Sequence, residues 1–129
     1  MENTQYTEEL MRRFGKPKFV KKIDKPNGSG QVGNIHCGDI MKLEIKVDDK
    51  TRKIKDIGFQ TFGCVAAIAS SDVVCELAKG KTIEEARKIA KEDIVKKLGG
   101  MPVIKIHCSI LGIEALDKAI KDYESKMER

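Results

Sequence analysis

An α+β domain, with a small antiparallel sheet of about three strands and helices packed on one face of it, is predicted by three observations. Apolar residues alternate at Met41, Leu43, Ile45 and Val47, the period turns helical after Gly63, and a final apolar stripe recurs every three or four residues from Ile113 to Met127. A sheet followed by helices is the order of an α+β fold. The chain of 129 residues suits one domain over 1–129, large enough for a core that needs no staples.

The elements follow in order. Residues 4–13 predict a short helix with a threonine cap and early acids, but the apolar content is thin, so fraying or docking on a partner is expected. Pro17, then Lys25-Pro26-Asn27-Gly28 and Gly30, break regular structure. From Gln31 the pattern is extended. Val32-Gly33-Asn34 is a candidate first strand, and Met41 to Val47 is a second with Lys42, Glu44 and Lys46 on its other face. Asp48-Asp49-Lys50 makes the turn, and Ile54, Ile57, Phe59, Thr61 and Phe62 mark the return strand.

A helix is expected from Cys64 to Lys79, ended by Gly80. Thr82 with Glu85 reads as a capping box, opening short helices that are interrupted near Lys91 and run to about Leu98. Gly99-Gly100-Met101-Pro102 stops them. The last helix begins near His107 or Cys108 and turns Ile113, Leu116, Ile120, Tyr123 and Met127 to the core.

Charge and hydropathy bound the function. No apolar run approaches a membrane span, and the start, Met1-Glu2-Asn3-Thr4-Gln5, is not a secretory signal, so a soluble cytoplasmic chain with reduced thiols is expected. The formal net charge is +5. Much of the excess lies where Arg12, Arg13, Lys16, Lys18, Lys21, Lys22 and Lys25 face only Asp24. Such a patch attracts nucleic acid or an acidic protein, but no aromatic platform beyond Phe14 and Phe19 accompanies it. A solvated face is the expected reading.

The chemistry lies in the cysteines. Cys37 sits in Ile35-His36-Cys37-Gly38-Asp39, Cys64 follows Phe62-Gly63, and Cys108 stands in Lys105-Ile106-His107-Cys108-Ser109. Small thiols are often packing residues, yet three of them beside Gly, Asp and His point to one metal or sulfur site. In an extended segment Cys37 and Asp39 share a side and His36 points away, so His36 is a supporting residue rather than a ligand. Cys64, at a strand-to-helix junction, gains from the helix dipole, which favours a thiolate. Cys108 has the same advantage if it begins a helix, with His107 as a ligand or proton carrier. Cys75 stands eleven positions beyond Cys64, on the order of 16 Å along one helix, and belongs to the core.

Gly33-Asn34-Ile35-His36-Cys37-Gly38-Asp39, Phe62-Gly63-Cys64 with Ala67-Ile68-Ala69-Ser70-Ser71, and Lys105-Ile106-His107-Cys108-Ser109-Ile110-Leu111-Gly112 resemble the three signatures of the iron–sulfur cluster assembly scaffold family, the IscU and NifU N-terminal type. The resemblance covers nearly the whole chain. It implies a scaffold without steady turnover of its own, on which a [2Fe–2S] cluster grows from iron and sulfur and then passes to apo-protein acceptors. It further implies Cys37, Cys64 and Cys108 as cluster ligands, with Asp39 and His107 as alternating or exchange-promoting ligands, and zinc as an occupant of the same constellation. Cys108 would accept persulfide sulfur from a cysteine desulfurase, and Tyr6 would serve association between scaffolds.

Two departures from the family pattern matter. Met101-Pro102-Val103-Ile104-Lys105 stands where the IscU branch has Leu-Pro-Pro-Val-Lys, which weakens the expectation of a dedicated Hsp70-type chaperone. The CxxC-bearing extension of multidomain NifU proteins does not follow, so a free-standing scaffold is expected. The zinc-dependent sulfur-transfer branch lacks the histidine before its last cysteine, whereas His107 is present here. That sulfur acceptor role is the alternative reading. More distant ones are a structural zinc module binding nucleic acid and an enzyme using zinc-bound water.

Overall fold

The structure, a computed structural model, describes residues 6–34, 39–102 and 108–127, the side chains of Asn34, Asp39, Cys108 and Ser109 excepted. Thr7, rather than an earlier residue, caps α1 (Glu8–Gly15): its Oγ1 accepts the Leu10 N–H at 3.1 Å. Glu8 and Glu9 in the first turn and Arg12 and Arg13 in the last complement the helix dipole.

This short helix packs on the chain's own core. Leu10 is buried, and Arg13, with a side chain only 4% exposed, reaches α2 (Val65–Ala78) through Asp72 at 3.1 Å and Glu76 at 2.9 Å. The other oxygen of Asp72 accepts the N–H groups of Lys18 and Phe19 at 2.8 and 3.0 Å. One buried carboxylate therefore ties both the helix and the strand-like stretch after it, and its ion pair is fully hydrogen-bonded, as burial of charge demands. The thin apolar content read from the sequence missed this polar dock.

The sheet has the order β1-β2-β3, from β1 (Gly28–Asn34), β2 (Asp39–Val47) and β3 (Ile54–Thr61), antiparallel throughout. Met41, Leu43, Ile45 and Val47 turn to the core, as their alternation predicts. β1 begins earlier than the pattern suggests, because Gly28 and Gly30, read as breakers, lie inside it. The reason is α5 (Cys108–Met127), which crosses so close that a Cβ on Gly30 would stand 2.3 Å from the Ala115 carbonyl oxygen, and one on Gly28 2.6 Å from that of Ala119. Glycine here serves close approach rather than a turn.

α2 is almost wholly buried, lined by small residues from Ala66 to Ala78, because α1, the sheet and α5 all pack on it. Gly80, at φ +86°, follows its end. The capping box is present: Thr82 and Glu85 open α3 (Ile83–Ala86). α4 (Lys91–Lys97) begins where the interruption was expected, with the Asp93 carboxylate accepting the Ala90 N–H. Gly99 and Gly100 both take positive φ after it. On α5, Leu116, Ile120 and Tyr123 are buried with Ala115 and Ala119, whereas Met127, expected to face the core, is 49% exposed in the last turn.

Candidate functional site

Three chain segments converge at one end of the sheet. β1 and β2 end their register on the pair Asn34 and Asp39, so the sequence 35–38 joins them there. The Ile40 carbonyl accepts both the Phe62 N–H at 3.2 Å and the Thr61 hydroxyl at 2.7 Å, and Thr61 Oγ1 in turn accepts the Gly63 N–H at 2.9 Å. These bonds lead the chain from β3 directly to Cys64. Cys64 is the N-cap of α2, extended at φ −80° and ψ 179°, with its carbonyl accepting the Ile68 N–H at 3.0 Å.

The third segment is the start of α5. β1 runs antiparallel to this helix, Gly28 beneath Ala119 and Gly30 beneath Ala115. From Ala115 the helix runs back seven residues, about 10 Å, to its first residue, Cys108, in the direction in which β1 runs on towards Asn34. Two helix N-termini, whose first-turn N–H groups have no intrahelical acceptor, are directed to the sheet end where β1 gives way to β2.

Among the five candidate ligands, Cys64 has a described side chain, half-buried and packed against the core cluster. Asp39 and Cys108 are placed by their backbones, while Cys37 and His107, together with His36, lie outside the described residues. Among the described residues no three metal-capable side chains gather. Cys75 behaves as the sequence predicts: it is fully buried, and burial, with the charge of Asp72 adding to it, pushes its thiol well above the ordinary range. It is a core thiol, unsuited to serve as a thiolate.

The basic stretch between residues 12 and 25 is altered by tertiary partners. Arg12 pairs with Glu9 at 2.6 Å, Arg13 is buried on Asp72 and Glu76, and Lys21 pairs with Asp56 at 2.9 Å. Three of these cations thus meet acids from outside the stretch, on α1, α2 and β3. Sequence reasoning also missed an apolar rim beside Cys64. Phe62 is 86% exposed, and with Val20 and Ile40 it lines a shallow groove of about 390 Å³ on the outer sheet face. An aromatic residue at the very end of an alternating strand was the available signal. Tyr6, read as a self-association residue, is half-buried against the monomer's own core.

These features define a small α+β domain that brings a thiol-bearing helix N-terminus to one end of a three-stranded sheet. Residues 5–129 match the NifU-like N terminal domain, and the chain belongs to that family. It is 50% identical over 121 residues to iron-sulfur cluster assembly scaffold protein IscU 1 of Archaeoglobus fulgidus, covering 94% of this chain and 78% of that protein. It is 46% identical over 125 residues to nitrogen fixation protein NifU of Nostoc sp., covering 92% of this chain and 41% of the relative. The fold matches the crystal structure of a nitrogen-fixing NifU-like protein (N-terminal) from Brucella abortus with a TM-score of 0.75, over 92% of this chain and 94% of that one, at 18% identity.

Proposed function

We infer that this chain is an iron–sulfur cluster assembly scaffold, receiving iron and sulfur as cargo, holding them as a [2Fe–2S] unit and handing the unit to apo-protein acceptors. The observation that carries the reading is Cys64 at the α2 N-cap, at the sheet end to which the 35–38 connection and the start of α5 also lead. Membership of a family that includes named IscU scaffolds supports it.

Cys37, Cys64 and Cys108 supply thiolates, the ligands iron–sulfur clusters take, and helix N-termini favour the ionised form of such thiols. Cys108 is the sulfur acceptor: its thiolate attacks the outer sulfur of a desulfurase persulfide, the desulfurase thiolate leaves, and two electrons from a reductant later release sulfide and restore Cys108. Asp39 completes the site with oxygen, a poorer partner for the cluster than sulfur, so that cargo can leave. His107 assists exchange, and zinc can occupy the same donors when iron is scarce. The exposed Phe62 beside Cys64 offers a protein partner apolar surface next to the thiols. Among the described residues no helix is long and apolar enough to cross a membrane.

Anaerobic incubation with ferrous iron, a cysteine desulfurase and cysteine is expected to produce the visible absorption of a [2Fe–2S] centre. Cys108→Ser is expected to block sulfur uptake, read by mass spectrometry after a short incubation without iron. Persulfide formation with tight zinc and no cluster would replace the scaffold reading by that of a sulfur carrier. Sulfur appearing chiefly on Cys37 or Cys64 would overturn the assignment of Cys108.

A further inference from the structure

One buried contact joins the three elements that carry the proposed ligands. The hydroxyl of Ser71, on α2, donates to the thioether sulfur of Met41, on β2, at 3.4 Å, and both residues are fully buried. α5 closes on the pair through Gly112, where a Cβ would stand 3.0 Å from Ser71 Oγ and 3.1 Å from Val74 Cγ2. Met41 is two residues from Asp39 along its strand, Ser71 is seven from Cys64 and Gly112 is four from Cys108, so the contact lies within about 10 Å along each element.

Packing alone does not call for a hydroxyl here. An apolar side chain of similar size would fill the place without the cost of taking a hydroxyl out of water, and a thioether is only a weak acceptor. The neighbouring Ser70 shows the ordinary alternative, its hydroxyl bonded to the Ala67 carbonyl of its own helix at 3.3 Å. Ser71 turns from its helix to the strand instead. What this bond adds over hydrocarbon packing is direction, since it fixes the Ser71 rotamer and the register of α2 on β2. With no side chain on Gly112, the backbone of α5 approaches the same oxygen closely.

We propose that Ser71 is a positioning residue for the thiol site: bonded to Met41 and approached by Gly112, it sets the spacing among α2, β2 and α5, and so how Cys64, Asp39 and Cys108 meet their cargo. It acts through these elements rather than on the cargo itself. The proposal rests on the scaffold reading above. A contact that served folding alone would need no directional bond, because apolar groups in both places can be as stable as the bonded pair.

A double-mutant cycle separates the two roles. Ser71→Ala, Met41→Leu and the double variant are compared with the parent in three ways: urea unfolding of the metal-free chain, zinc affinity against a chromophoric chelator, and lifetime of the reconstituted cluster. Met41→Leu alone leaves a buried hydroxyl without its acceptor and is expected to lower the urea midpoint. The double variant puts apolar groups in both places and is expected to regain most of that midpoint. It is nevertheless expected to bind zinc several-fold more weakly than the parent and to lose its cluster several-fold sooner. Zinc affinity and cluster lifetime equal to the parent's in the double variant, or losses that track the urea midpoint across all three variants, would overturn the proposal. A parent that binds zinc but assembles no cluster would instead defeat the scaffold reading, and zinc affinity would still decide the role of Ser71. A parent that binds neither would overturn both.

Discussion

Asp39 begins β2 opposite Asn34 and two residues beyond Cys37, so its backbone stands beside the proposed thiol site. As the oxygen donor proposed for that site, it is expected to speed release of cargo. Asp39→Ala should still assemble a cluster on three thiolates but pass it to an apo-ferredoxin several-fold more slowly, timed spectroscopically. Transfer at or above the parent rate refutes the role. Cys75 is the contrasting thiol, buried and held protonated by its surroundings. Cys75→Ala is expected to cost about 1 kcal/mol in urea unfolding and to leave cluster stoichiometry unchanged. Lost stoichiometry would place Cys75 in the site after all.

At the scale of elements, the packing of α5 on β1 decides how closely its N-terminus meets the sheet end. Both sheet edges are also covered: Lys118 donates to the Gln31 carbonyl and Asp122 accepts the Ser29 N–H along β1, while the Phe19 carbonyl accepts the Phe59 N–H along β3. Unpaired strand edges invite association, and these contacts suppress it. Gly30→Ala forces a methyl group into the Ala115 carbonyl and is expected to destabilise the fold by about 2 kcal/mol or more in chemical denaturation. Wild-type stability would show that α5 can lift from the strand at little cost.

Over the whole molecule, several acids are held in ionised form by folding. Glu9 is drawn from an ordinary 4.5 to about 2, chiefly by its hydrogen bond from Arg12, with Arg13 adding to it. Burial raises Glu76, but the hydrogen bonds from Arg13 and Lys97 outweigh it and leave it lowered, and Glu84 is lowered by Arg52. A depressed folded value stabilises above the unfolded value and loses that effect as pH falls through the folded one. The thermal midpoint is therefore expected to be level over about pH 5 to 8 and to fall as pH drops below 4.5 towards 2. The alkaline side has the opposite sign: the raised thiol of Cys75 stabilises below its ordinary 9.0 and loses that effect above it. A midpoint that rises on acidification would contradict these assignments.

The sequence by itself determined the α+β class, the alternating face of β2, the capping box at Thr82, the core role of Cys75 and the three motifs that carry the family resemblance. These signals are local, set by strand and helix periods and by hydrogen bonds between residues three apart. Tertiary structure decided what depends on distant neighbours. Gly30 is a strand residue because α5 lies on it, Arg13 is a buried dock because Asp72 meets it from α2, and Met127 is exposed because no described residue covers the last turn. The end of β1, Cys64 and the first turn of α5 likewise lie towards one sheet end only because β1 runs antiparallel to α5 and β3 feeds directly into α2. No local period encodes that convergence, since it arises from how elements far apart in sequence pack together.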